Sequence, residues 1–200
     1  ETIECTIPDT AEIYIFSGTI PEIIKDYTKL FPKLKMLPEY AFGIWVSANH
    51  WNSKRDVDAL LSDLDKYNFP ADVMVLEAWS DEATFYIWNG AKYKPKKSQE
   101  GFGYEDFDFG ESKFWNDPKS MIKKIHEKGM KLVLWQIPVF KKQDSGEEVS
   151  DQLVCDREYA VENQLVVKKQ DGSPYEIPEG NWFSGSMIPD FTNPATKEFW

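Results

Sequence analysis

Glu77, Trp79, Asp81 and Glu82 crowd the end of a four-residue apolar run, Val73-Met-Val-Leu76. Carboxylates accept hydrogen bonds from hydroxyls, and indoles cover apolar faces. Those two capacities together suit a polyhydroxylated ligand with an apolar side, such as a sugar. The run before them reads as a strand buried on both faces, the pattern of a parallel sheet. In α/β folds, ligands sit at the carboxyl ends of such strands. Trp45 and Trp135, like Trp79, stand at or near predicted strand ends. Core packing and pocket lining are both open to them.

Other clusters lead less far. Asp81 and Glu82 are sequence neighbours, which rarely face one another, so they do not read as a catalytic pair. Glu105, Asp106 and Asp108 lack calcium-loop spacing and read as a solvated loop. His50 and His126 form no metal pair. There is no Gly-rich phosphate loop, no Gly-x-Ser-x-Gly and no Cys/His dyad, which disfavours nucleotide chemistry and serine or cysteine nucleophiles. No metal and no cofactor is expected. Cys5 and Cys155 are the only cysteines and lie far apart. They read as free thiols in a reducing compartment, hence a cytoplasmic protein.

The net charge of -11 disfavours nucleic acid, because phosphate contacts need clustered Lys and Arg. The Lys-rich piece 92–97 is short and reads as a solvated loop. No apolar run approaches the roughly 18 residues of a membrane span. Two hundred residues, 42% of them hydrophobic, can bury a sizeable core. The chain opens on Glu1 and closes on Thr196–Trp200, which looks like a helix just starting. It reads as part of a longer protein, with oligomerisation left open.

The elements that must position the strand-end residues follow from local signals. Residues 1–18 read as short β segments. Thr19-Ile-Pro-Glu22 has the form of a capping box, with Ile23, Ile24, Tyr27 and Leu30 at helical spacing. Lys33–Pro38 is a proline-bounded connector, which places a boundary after residue 38. Residues 41–47 form the next strand. Ser53-Lys-Arg-Asp56 caps a helix whose apolar face is Val57, Leu60, Leu61 and Leu64. The strand at 73–77 completes a β-α-β unit, which implies a parallel sheet. A long loop, 89–116, is rich in Gly, aromatics and acids. Asp117-Pro118 opens a helix that Gly129 stops. Residues 131–137 form a third parallel strand. Beyond 144–163, which holds a short helix, Asp171-Gly172 turns a hairpin, and Asn193-Pro194 opens a last helix. The alternation of strand and helix suggests a TIM barrel or a doubly wound sheet.

Several stretches resemble glycoside hydrolase family 31, the α-glucosidases and α-xylosidases. They are the strand leading into Trp45, the strand ending in an acidic residue followed by Phe85-Tyr-Ile-Trp-Asn89, and Met121–Gly129 with His126. Val166-Val-Lys-Lys-Gln-Asp-Gly172, Asn181-Trp182, Gly185 and Pro189-Asp-Phe-Thr-Asn-Pro194 complete the set. The last block is the most specific.

The resemblance covers roughly residues 39–200. It implies an α/β fold, the first part of a TIM (β/α)8 barrel, with 1–38 the end of a preceding β-sandwich domain plus a linker helix. It also implies a retaining α-glycosidase acting on terminal α-linked glucosides or xylosides of oligosaccharides. The family's nucleophile motif, Trp-x-Asp-Met-Asn-Glu, does not occur, and no catalytic residue is assigned. The chain is then expected to supply sugar-binding residues: Glu77, where the family usually has Asp, and Trp182, Trp45, Trp79 and Trp135. Asp190 matches a family position and is expected to tie its loop to the barrel, a structural role. The alternative is a carbohydrate-binding or scaffold barrel without catalysis.

Overall fold

The computed structural model describes residues 10, 12–32, 35–97, 101–143 and 150–200. The chain divides into two compact units, residues 1–41 and 42–200.

In the first unit, helix α1 spans Ile20–Thr28. Glu22 reaches back to accept from the Thr19 backbone N–H at 2.9 Å and from its hydroxyl at 2.7 Å. That contact satisfies a donor the helix start would leave unpaired. The β-sandwich expectation rests on residues 1–18; 1–9 and 11 lie outside the described residues, and 12–18 carry no strand.

The second unit is built on a parallel sheet of order β1-β2-β3, formed by Trp45–Ala48, Val73–Leu76 and Lys131–Leu134. Helix α2 (Lys54–Lys66) links the first pair and α3 (Pro118–Glu127) the second. The caps read from sequence form. Ser53 accepts from the Asp56 N–H and Asp117 from the Ser120 N–H, and Gly129 takes the left-handed φ of +79° beyond α3. Pairing is in register, Trp45 to Val73 to Lys131 and Ala48 to Leu76 to Leu134.

Side chains alternate across a strand, so the register divides the sheet into two faces. Val46, Met74, Leu76, Leu132 and Leu134 face α2 and α3. They pack with Val57, Leu61, Met121 and Ile125 into the main core. Burying such side chains stabilises by roughly 1.5–3 kcal/mol each. The opposite face carries Trp45, Ser47, Val75 and Val133, and it is more open.

Strand ends differ from the sequence reading. Ala41 and Phe42 belong to a one-turn helix, Glu39–Phe42, so β1 starts only at Trp45. β3 stops at Leu134, three residues before Ile137. The reason is the partner strand. The Trp135 N–H still bonds to the Leu76 carbonyl at 2.9 Å, but the chain bends at Glu77 and Ala78, so Gln136 and Ile137 have no ladder to extend.

The remaining chain packs as a second cluster. Helix α4 (Asp151–Glu162) and helix α5 (Pro194–Phe199) flank Phe140, Leu165, Val166 and Met187. The hairpin forms, with Gly172 at φ +84° and Lys168 bridging Pro174 antiparallel. Met187 bridges both Phe140 and Glu176, also antiparallel. Loop 89–116 folds on itself through a Lys92–Asp108 bridge. Its acidic residues take local partners: Asp106 meets Lys96 at 2.7 Å and accepts from the Gly103 N–H.

Candidate functional site

Glu77 follows the last residue of β2 and Trp135 follows the last residue of β3. Leu76 pairs with Leu134, so Glu77 and Trp135 are set side by side where the sheet ends. The period of two along each strand places both on the open face, in line with Val75 and Val133. Ser47, on the neighbouring strand, donates its hydroxyl to the Glu77 carboxylate. That bond fixes one carboxylate oxygen while Glu77 stays partly exposed.

An aromatic cluster stands beside this carboxylate. Trp182 is 72% exposed. Its ring centroid lies 5.9 Å from that of Trp135, with the planes inclined at 37°. Phe85 meets Trp135 edge-on at 6.0 Å and Phe183 edge-on at 5.1 Å. Phe183 in turn lies 4.7 Å from Trp182. Two loops bring the other three rings to Trp135, Phe85 from the loop after β2 and Trp182 and Phe183 from the loop before Ser186.

Each loop is closed by its own hydrogen bonds. In the first, the Asp81 carboxylate accepts from the Thr84 N–H at 2.6 Å. The Phe85 N–H donates to the Asp81 carbonyl, and the Asp81 N–H to the Ile87 carbonyl. Burial pushes the Asp81 carboxyl above the usual carboxylate range, against the Thr84 hydrogen bonds. Its place is inside the loop, as a cap. In the second loop, the Ser186 N–H donates to the Phe183 carbonyl at 3.0 Å.

The five residues singled out in the sequence are not all brought together. Glu77, Trp135 and Trp182 are at or beside the carboxyl end of the sheet. Trp79 is turned inward. It is 6% exposed, edge-on to Trp88 at 5.1 Å, and its indole N–H donates to the Trp135 carbonyl at 2.6 Å. The bend at Glu77 and Ala78 breaks the strand alternation that would have put it on the open face. Trp45 is the first residue of β1, paired with Val73. It stands four residues before the Glu77 level, roughly 13 Å along the strand. It shares the open face but lies at the amino end. Asp190 accepts from the Thr192 hydroxyl and N–H, and its own N–H donates to the Leu165 carbonyl, which ties its loop to the hairpin.

Ser47, Phe85 and Phe183 are the residues that sequence reasoning did not single out. The alternation of β1 could have flagged Ser47. Phe85 lies inside a stretch already set apart, and Phe183 had no local signal. Among the described residues, no group of three His, Cys, Asp or Glu side chains could hold a metal ion, and no helix is long and apolar enough to cross a membrane.

An exposed indole stacked on a half-buried one, beside a half-anchored carboxylate, can hold a sugar ring, with apolar contact on one side and hydroxyl contacts on the other. The chain is 39% identical over 187 residues to an isomaltosyltransferase from Sporosarcina globispora, covering 94% of this chain and 17% of that enzyme. It is 42% identical to the crystallised cycloalternan-forming enzyme of Listeria monocytogenes in complex with a pentasaccharide substrate, with a TM-score of 0.81. That match covers 89% of this chain and 16% of the other. The cycloalternan-degrading enzyme of Trueperella pyogenes, solved with isomaltose, superposes with a TM-score of 0.83 at 32% identity, over 92% of this chain and 26% of that one. Residues 34–200 match the family described as the glycosyl hydrolases family 31 TIM-barrel domain. The chain spans about a sixth to a quarter of these relatives' lengths, and it belongs to glycoside hydrolase family 31.

Proposed function

We propose that residues 42–200 form the sugar-recognition part of a retaining α-glycosidase barrel that processes α-linked glucose oligosaccharides. Glu77 accepts hydrogen bonds from sugar hydroxyls, and Trp135 and Trp182 pack against the apolar face of a ring. The observation that carries this reading is the pairing of Glu77, held by Ser47, with the wall of half-buried Trp135 and exposed Trp182 at one end of the sheet. The isomaltosyltransferase and 1,3-alpha-isomaltosidase relatives support chains bearing isomaltosyl units as substrate, hydrolysed or transferred. Retaining chemistry needs a nucleophile and an acid/base about 5–5.5 Å apart. On this reading both belong to segments of the complete enzyme other than residues 1–200, and the isolated chain does not turn over aryl α-glucosides or α-xylosides. The protein is read as cytoplasmic, as its cysteine usage suggests.

The test uses the longest gene product containing this chain. kcat/KM is measured for the parent, Glu77→Gln and Trp182→Ala on isomaltose-type oligosaccharides, an aryl α-xyloside and a deoxy series. Each charged hydrogen bond lost costs roughly 1.5–3 kcal/mol, or about one to two powers of ten. The loss is expected on sugars that carry the contacted hydroxyl and not on the matching deoxy sugar. An equal loss on every sugar, or a loss that tracks unfolding, makes Glu77 structural and removes the reading. Turnover by the isolated 1–200 chain would overturn the assignment of chemistry elsewhere.

A further inference from the structure

Four described residues other than glycine have positive φ: Asn68, Phe85, Gln164 and Phe183. Asn68 and Gln164 stand just past the ends of α2 and α4. A left-handed residue after a helix is an ordinary way to stop it. Phe85, at φ +61°, and Phe183, at φ +59°, follow no helix. A bulky side chain in that region is an outlier, because its Cβ crowds the backbone. Such strain persists only where surrounding contacts over-determine it, and it clusters at ligand clamps.

The two strained phenylalanines are 98 residues apart in sequence, yet their rings are in edge-to-face contact at 5.1 Å and 82°. Each also touches one member of the indole wall: Phe85 touches Trp135 and Phe183 touches Trp182. Nearby turns that need positive φ use glycine, as at Gly90, Gly180 and Gly185. Glycine at 85 and 183 would remove the strain and the rings together.

We infer that Phe85 and Phe183 form a strained latch that sets the tilt of Trp135 and Trp182 and so selects the glucosyl unit the wall accepts. They are positioning residues, acting through the two indoles. Without the latch Trp182, with most of its surface in water, is free to leave its 37° inclination to Trp135. The wall then loses its shape for an apolar sugar face while the sheet beneath is unchanged. This inference rests on the sugar-site reading above.

The experiment compares Phe183→Gly, Phe183→Ala, Phe183→Tyr and Trp182→Ala in the longest gene product. Melting temperature is read alongside KM and kcat on an isomaltose-type oligosaccharide. Alanine removes the ring and keeps the backbone strain, while glycine removes both. Phe183→Gly is expected to melt no lower than Phe183→Ala, although glycine ordinarily loses more chain entropy on folding. Both are expected to raise KM about fivefold to tenfold, the size of one aromatic pair contact, with kcat little changed. Phe183→Tyr restores KM.

A glycine variant clearly less stable than the alanine variant removes the strain. Unchanged KM in both, while Trp182→Ala loses affinity, removes the latch and leaves the sugar site standing. Unchanged KM in Trp182→Ala as well removes the sugar-site reading itself.

Discussion

The indole N–H of Trp79 donates to the backbone carbonyl of Trp135 at 2.6 Å, so a buried side chain after β2 holds the residue that follows β3. Fifty-six positions separate them. The bond fixes the backbone of Trp135 where its ladder stops, and the ring of Trp135 is left to the open face.

Trp79→Phe tests that hold. Phenylalanine keeps an aromatic ring among Trp88 and Trp115 but cannot donate, and it leaves the Trp135 carbonyl without this partner. The expected loss is roughly 1–3 kcal/mol of stability, read from the denaturation midpoint. A larger rise in KM than the loss of stability explains is also expected, because Trp135 is no longer fixed. An unchanged midpoint would show that the bond contributes nothing.

Ser47→Ala removes the donor that holds Glu77. A hydrogen bond to a charged group contributes about 1.5–3 kcal/mol where it is shielded, and less where water can replace it. Since Glu77 is partly exposed, the expected cost is roughly threefold to tenfold in kcat/KM, with little change in melting temperature. In a double-mutant cycle with Glu77→Gln the two losses should not add. Simple additivity would mean that Ser47 acts independently of Glu77.

Asp156 supplies a pH prediction. It is 8% exposed on α4, and its carboxylate accepts from the Tyr86 hydroxyl at 2.7 Å and from the Gln152 amide at 2.9 Å. Burial pushes its carboxyl above the ordinary range, more strongly than those two hydrogen bonds pull it down. The folded state therefore binds this proton more tightly than the unfolded chain. By linkage, the contribution to stability is greatest below the ordinary carboxylate pKa. It is lost as pH rises from there through the folded pKa. Asp156→Asn does not titrate. The melting temperature of the parent minus that of the variant should fall as pH climbs from the acid side to neutrality. A difference that is flat or rises with pH would contradict the burial argument. The slope carries the test, because the amide swaps an acceptor for a donor and shifts the offset by itself.

Gly43 marks a close approach at the amino end of the sheet. A Cβ there would come 2.3 Å from the Asp72 carboxylate. That carboxylate accepts from the Ile44 N–H at 2.9 Å, and the Asp72 carbonyl accepts from the Lys131 N–H at 2.8 Å. Asp72 thus joins the starts of β1 and β3. Gly43→Ala should push the carboxylate aside and cost about 1–3 kcal/mol, measured by chemical denaturation. Asp72→Ala in the Gly43→Ala background should cost less than Asp72→Ala alone.

Features that depend on neighbours along the chain were legible in the residues alone. Ser53, Asp117 and Asn193 cap the helices that their positions predicted. The apolar run Val73–Leu76 is a central parallel strand, and Glu77 stands at its end. Hydrophobic period, capping chemistry and turn residues are short-range properties, so they can be read without a fold. Tertiary structure decided which of the marked residues meet. The register of β2 against β3 makes Glu77 and Trp135 neighbours. A loop 47 residues further on brings Trp182 to Trp135, and Phe183 to Phe85. The bend after Leu76 turns Trp79 into the core, where its N–H finds a carbonyl. Trp45 reads as a strand-end residue in the sequence, but the one-turn helix before it moves the start of β1 there, and it lies at the opposite end of the sheet from Glu77. An indole has the same apolar signature inside a core or on a binding wall. Only the contacts made by distant parts of the chain separate the two.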